Sequence, residues 1–322
     1  MTGIHEDPFL RFKHSKQPLS ERAHIPVLLD ETLNILKSGN GYQIRVLLDA
    51  TLGAGGHAAA ILLDHCKVHC LIGNDRDRSA LDLGQDHLKS AGLLPPTAHF
   101  WHCDLESAAA KLGECGIRCD AMIVDLGVST MQLMSQDRGF SIDICAPLDM
   151  RMDIQQELTA AHIVNRYSPP DLEAILIAGE VRGYRKIARG IAQARAKKEI
   201  ETTTELLKIV GPYLRGKTRR SAARVLFQAL RIEVNQELAT LENSLTGLAQ
   251  ALSDHGRLIA ISFHSLEDRI VKSTFRELVN TGSFHSLTRK PLAPTAAERS
   301  ANPRCRSAKL RALTRRDLRG VT

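Results

Sequence analysis

No apolar run in the chain approaches the length of a bilayer-spanning helix, so a transmembrane protein is not expected. The N-terminus lacks the basic, then apolar, then small-residue pattern of a secretory signal. Glu6 and Asp7 weigh against an acid-poor organelle transit peptide. A cytoplasmic protein is the expectation. The seven cysteines, at 66, 70, 103, 115, 119, 145 and 305, are odd in number and scattered, which argues against a disulfide framework. The spaced pairs Cys66/Cys70 and Cys115/Cys119 have no matching partner pair, so no metal is assigned to them. What is present is a globular composition, 43% hydrophobic and 25% charged over 322 residues. The net charge of +7 permits a polyanionic partner without requiring one.

The chemistry is announced between Val46 and Ile61. The apolar run Val46-Leu47-Leu48 ends in Asp49; Gly53, Gly55 and Gly56 follow, and then the helix-forming segment from His57. A strand that turns sharply into a helix presents unpaired N–H groups and the positive dipole end at the strand's carboxyl edge. Glycines there let a ligand approach the main chain. The stretch therefore reads as a nucleotide-type binding turn.

The same rhythm recurs. Runs at Val68–Asp75, Ala98–Asp104 and Ala121–Asp125 read as strands ending in a carboxylate, and Arg78–Ser90 has helical spacing. Strands alternating with helices predict a parallel α/β sheet, whose ligands bind outside the carboxyl ends. Asp49, Asp75, Asp104 and Asp125 all fall there. A single such Asp is usually a cap or turn residue, but four in consecutive units point to a site. From about Ala160 to Tyr213 the pattern is helical and basic, and one further helix is predicted from about Ser221 to Leu245. Arg257–Phe263 reads as a fifth strand, Leu266–Val279 as its helix, and Ala308–Leu313 as a last strand. The expected organisation is a flexible basic arm over 1–22, a sheet domain over 23–137 and 216–322, and an inserted helical, basic subdomain over 138–215. From His285 onward ten Lys and Arg stand against two acids, a composition suited to phosphate.

Gly53-x-Gly55-x-x-Ala58 with Asp75 satisfies a relaxed dinucleotide fingerprint and would serve NAD about as well as S-adenosylmethionine. Asp49 tilts the choice, because a carboxylate there repels a pyrophosphate and suits a sulfonium with a free amino group. Ser168-Pro169-Pro170 resembles part of an amino-methyltransferase motif, but Asp171 follows instead of an aromatic residue. The tripeptide reads better as a cap and first turn of a helix.

Taken together, several motifs resemble the RsmH/MraW family. They are His24–Glu31, Asp49–His57, Asp75-Arg76-Asp77, Asp125–Ser129, Arg138–Ser141, Pro147–Asp153, Ser262–Arg269 and Asn302–Ser307, and the likeness runs from about residue 24 to 312. The resemblance implies an α/β, Rossmann-like class I methyltransferase sheet with an inserted helical subdomain. It implies methyl transfer from S-adenosylmethionine to the N4 amino group of a cytosine in the decoding centre of 16S ribosomal RNA, within the small ribosomal subunit. It also implies that Gly55, Gly56, His57, Asp75, Leu105, Asp125 and Gln132 hold the cofactor. The family often has Phe where Leu105 stands here, which removes aromatic packing on the adenine. Asp104 beside it could accept from the adenine amino group.

The amine lone pair of cytosine is delocalised into the ring, so such an enzyme must hold it in line with the methyl group and offer acceptors to its hydrogens. Asp125, Asp149, Asp153 and His264 are the candidates. Competing structural readings are a salt bridge of Asp149 or Asp153 to Arg151 or Arg138, and a hydrogen-bonded strand-end role for His264. Rival functions are an NAD-dependent dehydrogenase and a non-catalytic RNA-binding scaffold. The sequence leaves open whether the chain acts as a monomer or a homodimer.

Overall fold

The computed structural model describes residues 26–38, 42–65 and 67–317; the arm expected over 1–22 and Cys66 lie outside them. Helix α1 (Leu29–Lys37) leads to β1 (Val46–Asp49), and α2 (Gly56–Asp64) follows the glycine turn. Then β2 (Cys70–Asp75), α3 (Arg78–Ser90), β3 (Thr97–His102), α4 (Leu105–Glu114) and β4 (Cys119–Asp125) alternate. Leu47, Leu48, Leu71, Ile72, Met122 and Ile123 are wholly buried in cores on the two faces of the sheet. A strand covered on both faces has no solvent side, so its sequence reads as a continuous apolar run. β1 lies between β2 and β4 and is parallel to both, with Asp49 opposite Gly73 and Ile123.

After α5 (Thr130–Met134) the chain leaves the sheet. Helices α6 (Ala160–Arg166), α7 (Pro169–Ala178), α8 (Tyr184–Arg195), α9 (Thr203–Val210) and α10 (Arg219–Asn235) share a separate core that includes Met150, Ile163, Ile187, Leu206 and Leu230. That core runs from Phe140 to Val234, so α10 packs with the insert although it lies past residue 215. Ser168 caps α7 by accepting from Asp171 N at 3.3 Å, with Pro169 at the first helical position. This is the helix start read from the sequence.

The single helix expected over 221–245 is two. Gln236 turns left-handed at φ 50°, and α11 (Leu241–Gln250) starts afresh. The end of α10 is used for another purpose: buried Asn235 donates to Met150 O and accepts from Met152 N, both at 2.7 Å. These bonds hold the 150–152 loop against the helix. No Gly or Pro marks the break, so periodicity passes over it.

The sheet resumes with β5 (Leu252–Ser262), followed by α12 (Ser265–Asn280), the short β6 (Phe284–Ser286), α13 (Ala296–Ala301) and β7 (Lys309–Arg315). The seven strands lie in the order β3-β2-β1-β4-β5-β7-β6, with β7 antiparallel to β5 and β6. Strands β1 to β5 are mutually parallel and bring their carboxyl ends to one edge. Among the described residues, no helix is long and apolar enough to cross a membrane.

Candidate active site

A cavity of about 430 Å³ opens at that edge. The glycine turn contributes Gly53, Ala54, Gly56 and His57; the β2 end contributes Asn74, Asp75 and Arg76. Asp104 and Leu105 follow β3, and the segment from Asp125 to Gln132 follows β4. The opposite wall has Glu237 and Leu241 from the α10–α11 junction and Phe263 and Glu267 from the turn after β5. Pro26, Val27 and residues 301–304 also belong to the lining. These distant segments are joined by Leu28 N, which donates to Glu298 Oε1 at 2.8 Å.

The turn is built for close approach. Gly53 and Gly55 have φ of 51° and 78°, in the left-handed region that glycine tolerates. A Cβ on Gly55 would come within 3.2 Å of Gly84 O, and one on Gly84 within 2.5 Å of Gly53 O. Gly55 therefore packs against α3 and is not among the lining residues, whereas Gly56 and His57 are. Both begin α2, where backbone N–H groups have no partner inside the helix. Asp75 is fixed by Gly53 N on Oδ2 and Asp77 N on Oδ1, each at 2.8 Å.

Asp75, Asp104, Asp125, Glu237 and Glu267 bring carboxylates to the lining. Asp49 is not among the lining residues; it is 1% exposed behind them, and its Oδ2 is buried without a hydrogen-bond partner. Burial, partly offset by the Thr51 N–H and reinforced by Asp75, pushes Asp49 up to about 7. Burial likewise lifts Asp75 to about 6. Asp125 is raised well above the usual range, first by burial and then by the charges of Asp49 and Glu267, and its Oδ1 has no hydrogen-bond partner. His57 Nε2 lies 3.0 Å from Val27 O, and its Nδ1 lies 3.7 Å from Asp125 Oδ2. Desolvated carboxylates around a cavity favour a cationic occupant. The sulfonium and ammonium of S-adenosylmethionine meet that demand, and the pyrophosphate of a dinucleotide opposes it.

Of the expected cofactor residues, Gly56, His57, Asp75, Leu105, Asp125 and Gln132 line the cavity. Gln132 is already engaged: it forms a capping box with Ser129 and donates to Asp77 Oδ2 at 2.8 Å. Asp104 caps α4, accepting from Ser107 N at 2.7 Å.

None of the expected catalytic residues Asp149, Asp153 and His264 lines the cavity. Asp149 forms a two-pronged pair with Arg151, at 2.8 Å to each oxygen. Asp153 lies 4.0 Å from His102 Nε2. His264 caps α12: its Nδ1 accepts from Glu267 N at 3.3 Å, and its Nε2 lies 3.0 Å from Glu267 Oε1. Glu267 is the ionisable residue of that motif that lines the cavity. Its place in the first helical turn gives it the look of a capping acid and hides it from sequence reasoning. Glu237, His264 and Glu267 bring ligand-capable atoms within 4.8 Å of one another, but Arg231 grips both oxygens of Glu237, at 2.8 and 2.7 Å. A guanidinium at that point opposes a metal cation.

The strand order and the carboxylate-lined cavity at its edge define a class I S-adenosylmethionine-dependent methyltransferase. Residues 21–316 match the MraW methylase family, and the chain belongs to it. It is 39% identical over 312 residues to ribosomal RNA small subunit methyltransferase H of Thermobifida fusca, covering 91% of this chain and 93% of that one. It is 40% identical over 308 residues to the protein of the same name from Pseudothermotoga lettingae, covering 92% of this chain and 100% of that one. Among solved structures it resembles a putative rRNA-methylase from Clostridium thermocellum, with a TM-score of 0.45 and 10% identity over 91% of this chain and all of that one.

Proposed function

We propose that the enzyme methylates small-subunit ribosomal RNA in the cytoplasm, and that its target is the N4 amino group of a cytosine in the decoding centre. The observation that carries the reading is near-full-length similarity to enzymes named for the small-subunit RNA, at 39% and 40% identity. The cavity supports it. In this reading Gly56, His57, Asp75, Leu105, Asp125 and Gln132 hold the cofactor, and Gly55 shapes the turn that they share. The insert supplies RNA contacts: Arg182, Arg185, Lys186 and Arg189 are exposed on and just before α8, whose other face buries Ile187 and Ile191. Clustered cations of this kind bind phosphate with strong salt dependence. An amine within stacked RNA is out of reach, so the target base must splay outward into the cavity.

The test is transfer of labelled methyl from S-adenosylmethionine to small subunits lacking the modification, followed by mapping of the modified base. Label on one decoding-centre cytosine, at N4, is the expected result. No transfer, or label on another base, would refute the assignment.

A further inference from the structure

The cavity has two sides along the sheet edge. The glycine turn, Asp75 and Leu105 lie at the ends of β1, β2 and β3, and Asp125 ends β4. Beyond β4 in the sheet comes β5, whose following turn contributes Phe263 and Glu267. A methyl donor held at β1 to β3 leaves the β5 side for the acceptor amine. The following assignment rests on the proposed reading that this amine belongs to a cytosine.

We propose that Glu267 is the carboxylate that touches the acceptor amine, accepting its N–H hydrogens and stabilising the positive charge that develops there. Glu267 is 2% exposed and held from several directions. Its Oε2 accepts from Phe263 N at 2.7 Å and His264 N at 3.3 Å, and its Oε1 faces His264 Nε2 at 3.0 Å. Burial opposes its ionisation, but His264, Arg231 and the Phe263 N–H outweigh burial and hold it below the ordinary glutamate value. Asp125, which faces it, is driven the opposite way. The β5 side thus carries a fixed anion that needs no rearrangement when charge appears. A capping role alone explains the two backbone bonds. It does not explain why the carboxylate lines the cavity, or why the charge of Arg231, paired with Glu237, also favours its ionised form.

S-adenosylmethionine, when bound, supplies a methyl group on a sulfonium. The amine lone pair forms the new N–C bond while the C–S pair stays on sulfur, so positive charge passes from sulfur to nitrogen. Glu267 accepts the surplus proton from that nitrogen and releases it to water, leaving a neutral N-methyl product and a neutral thioether. A preorganised charge of this kind is worth about 10²–10³-fold in kcat.

Glu267→Gln removes the charge while keeping one oxygen to accept from the two backbone N–H groups, as glutamine does at capping-box positions. With small-subunit substrate, its single-turnover rate is expected to fall about 10²–10³-fold, while affinity for S-adenosylhomocysteine stays within about threefold. Glu267→Asp, which keeps the charge on a shorter stem, should recover part of the rate. A readout without turnover is the binding of cytidine and uridine monophosphates to enzyme loaded with S-adenosylhomocysteine. Wild type should prefer the amino-bearing base, and Glu267→Gln should lose that preference. An unchanged rate and preference in Glu267→Gln overturns the proposal, as does a loss of thermal midpoint with saturated rate preserved. If wild type prefers cytidine but methylates no small subunit, the functional reading fails while the assignment of Glu267 survives.

Discussion

Asp75, which lines the cavity, and Asp49, buried outside the lining, are both held above the ordinary carboxylate value. The folded values of Asp49 and Asp75, about 7 and about 6, stand above the ordinary 3.8. In the free protein each contributes stability that is fully present below about pH 4 and is lost as pH rises through its folded value. A bound cation reverses the preference, because it favours the ionised forms. Affinity for S-adenosylmethionine should therefore rise with pH between about 5 and 7, by up to about tenfold per unit for each proton released. S-adenosylhomocysteine, which lacks the sulfonium charge, should show a shallower rise, and calorimetric titration across that range measures both. Equal, flat profiles would contradict the electrostatic account. These acids are legible in the sequence because each closes an apolar run of strand length. Glu267 is not, since its local bonds to Phe263 and His264 make it look like a capping acid, and Arg231, which also favours its charge, stands 36 positions earlier on α10. The sequence favours His264 for its chemistry, whereas the fold uses that imidazole to hold its neighbour.

At the level of elements, α3 and the glycine turn are in backbone contact. A methyl group on Gly84 would sit 2.5 Å from Gly53 O and 2.9 Å from Leu52 Cδ2. The carbonyl cannot yield without moving the turn that Asp75 holds. Gly84→Ala should destabilise the fold by about 1–3 kcal/mol, as overpacking does, and weaken S-adenosylhomocysteine binding. Urea unfolding with and without the ligand separates the two effects, and a variant with unchanged stability and affinity would show the contact to be soft. Elements with strong local signals are readable in advance, as the Ser168-Pro169 start of α7 shows. The α10–α11 break is not, because Gln236 adopts its left-handed turn for Asn235's bonds to a distant loop. The three-residue β6 is too short for any periodicity and exists because β7 supplies its partner.

For the whole molecule, charge and topology divide the labour. The formal charge is +7, yet the cavity floor is acidic. In the proposed reading, anionic RNA is thereby drawn to the periphery and a cationic donor to the centre. Charge reversal at Arg185, Lys186 and Arg189 should weaken RNA binding and reduce the slope of log affinity against log salt by roughly 2. Cofactor affinity should stay unchanged; filter binding over a salt series reads the first effect and calorimetry the second. RNA affinity equal to wild type would remove α8 from the RNA surface. The α/β order follows from the sequence rhythm, but the wall formed by both ends of the chain does not, because it depends on contacts made late. Leu28 bonds to Glu298 across 270 positions, and residues 301–304 form part of the same wall. A growing chain has its glycine turn and its first four strands long before that wall emerges from the ribosome. Contacts so distant in sequence also form slowly. That wall is thus among the last features to form during synthesis, and an unfinished copy has its glycine turn without the complete chamber around it.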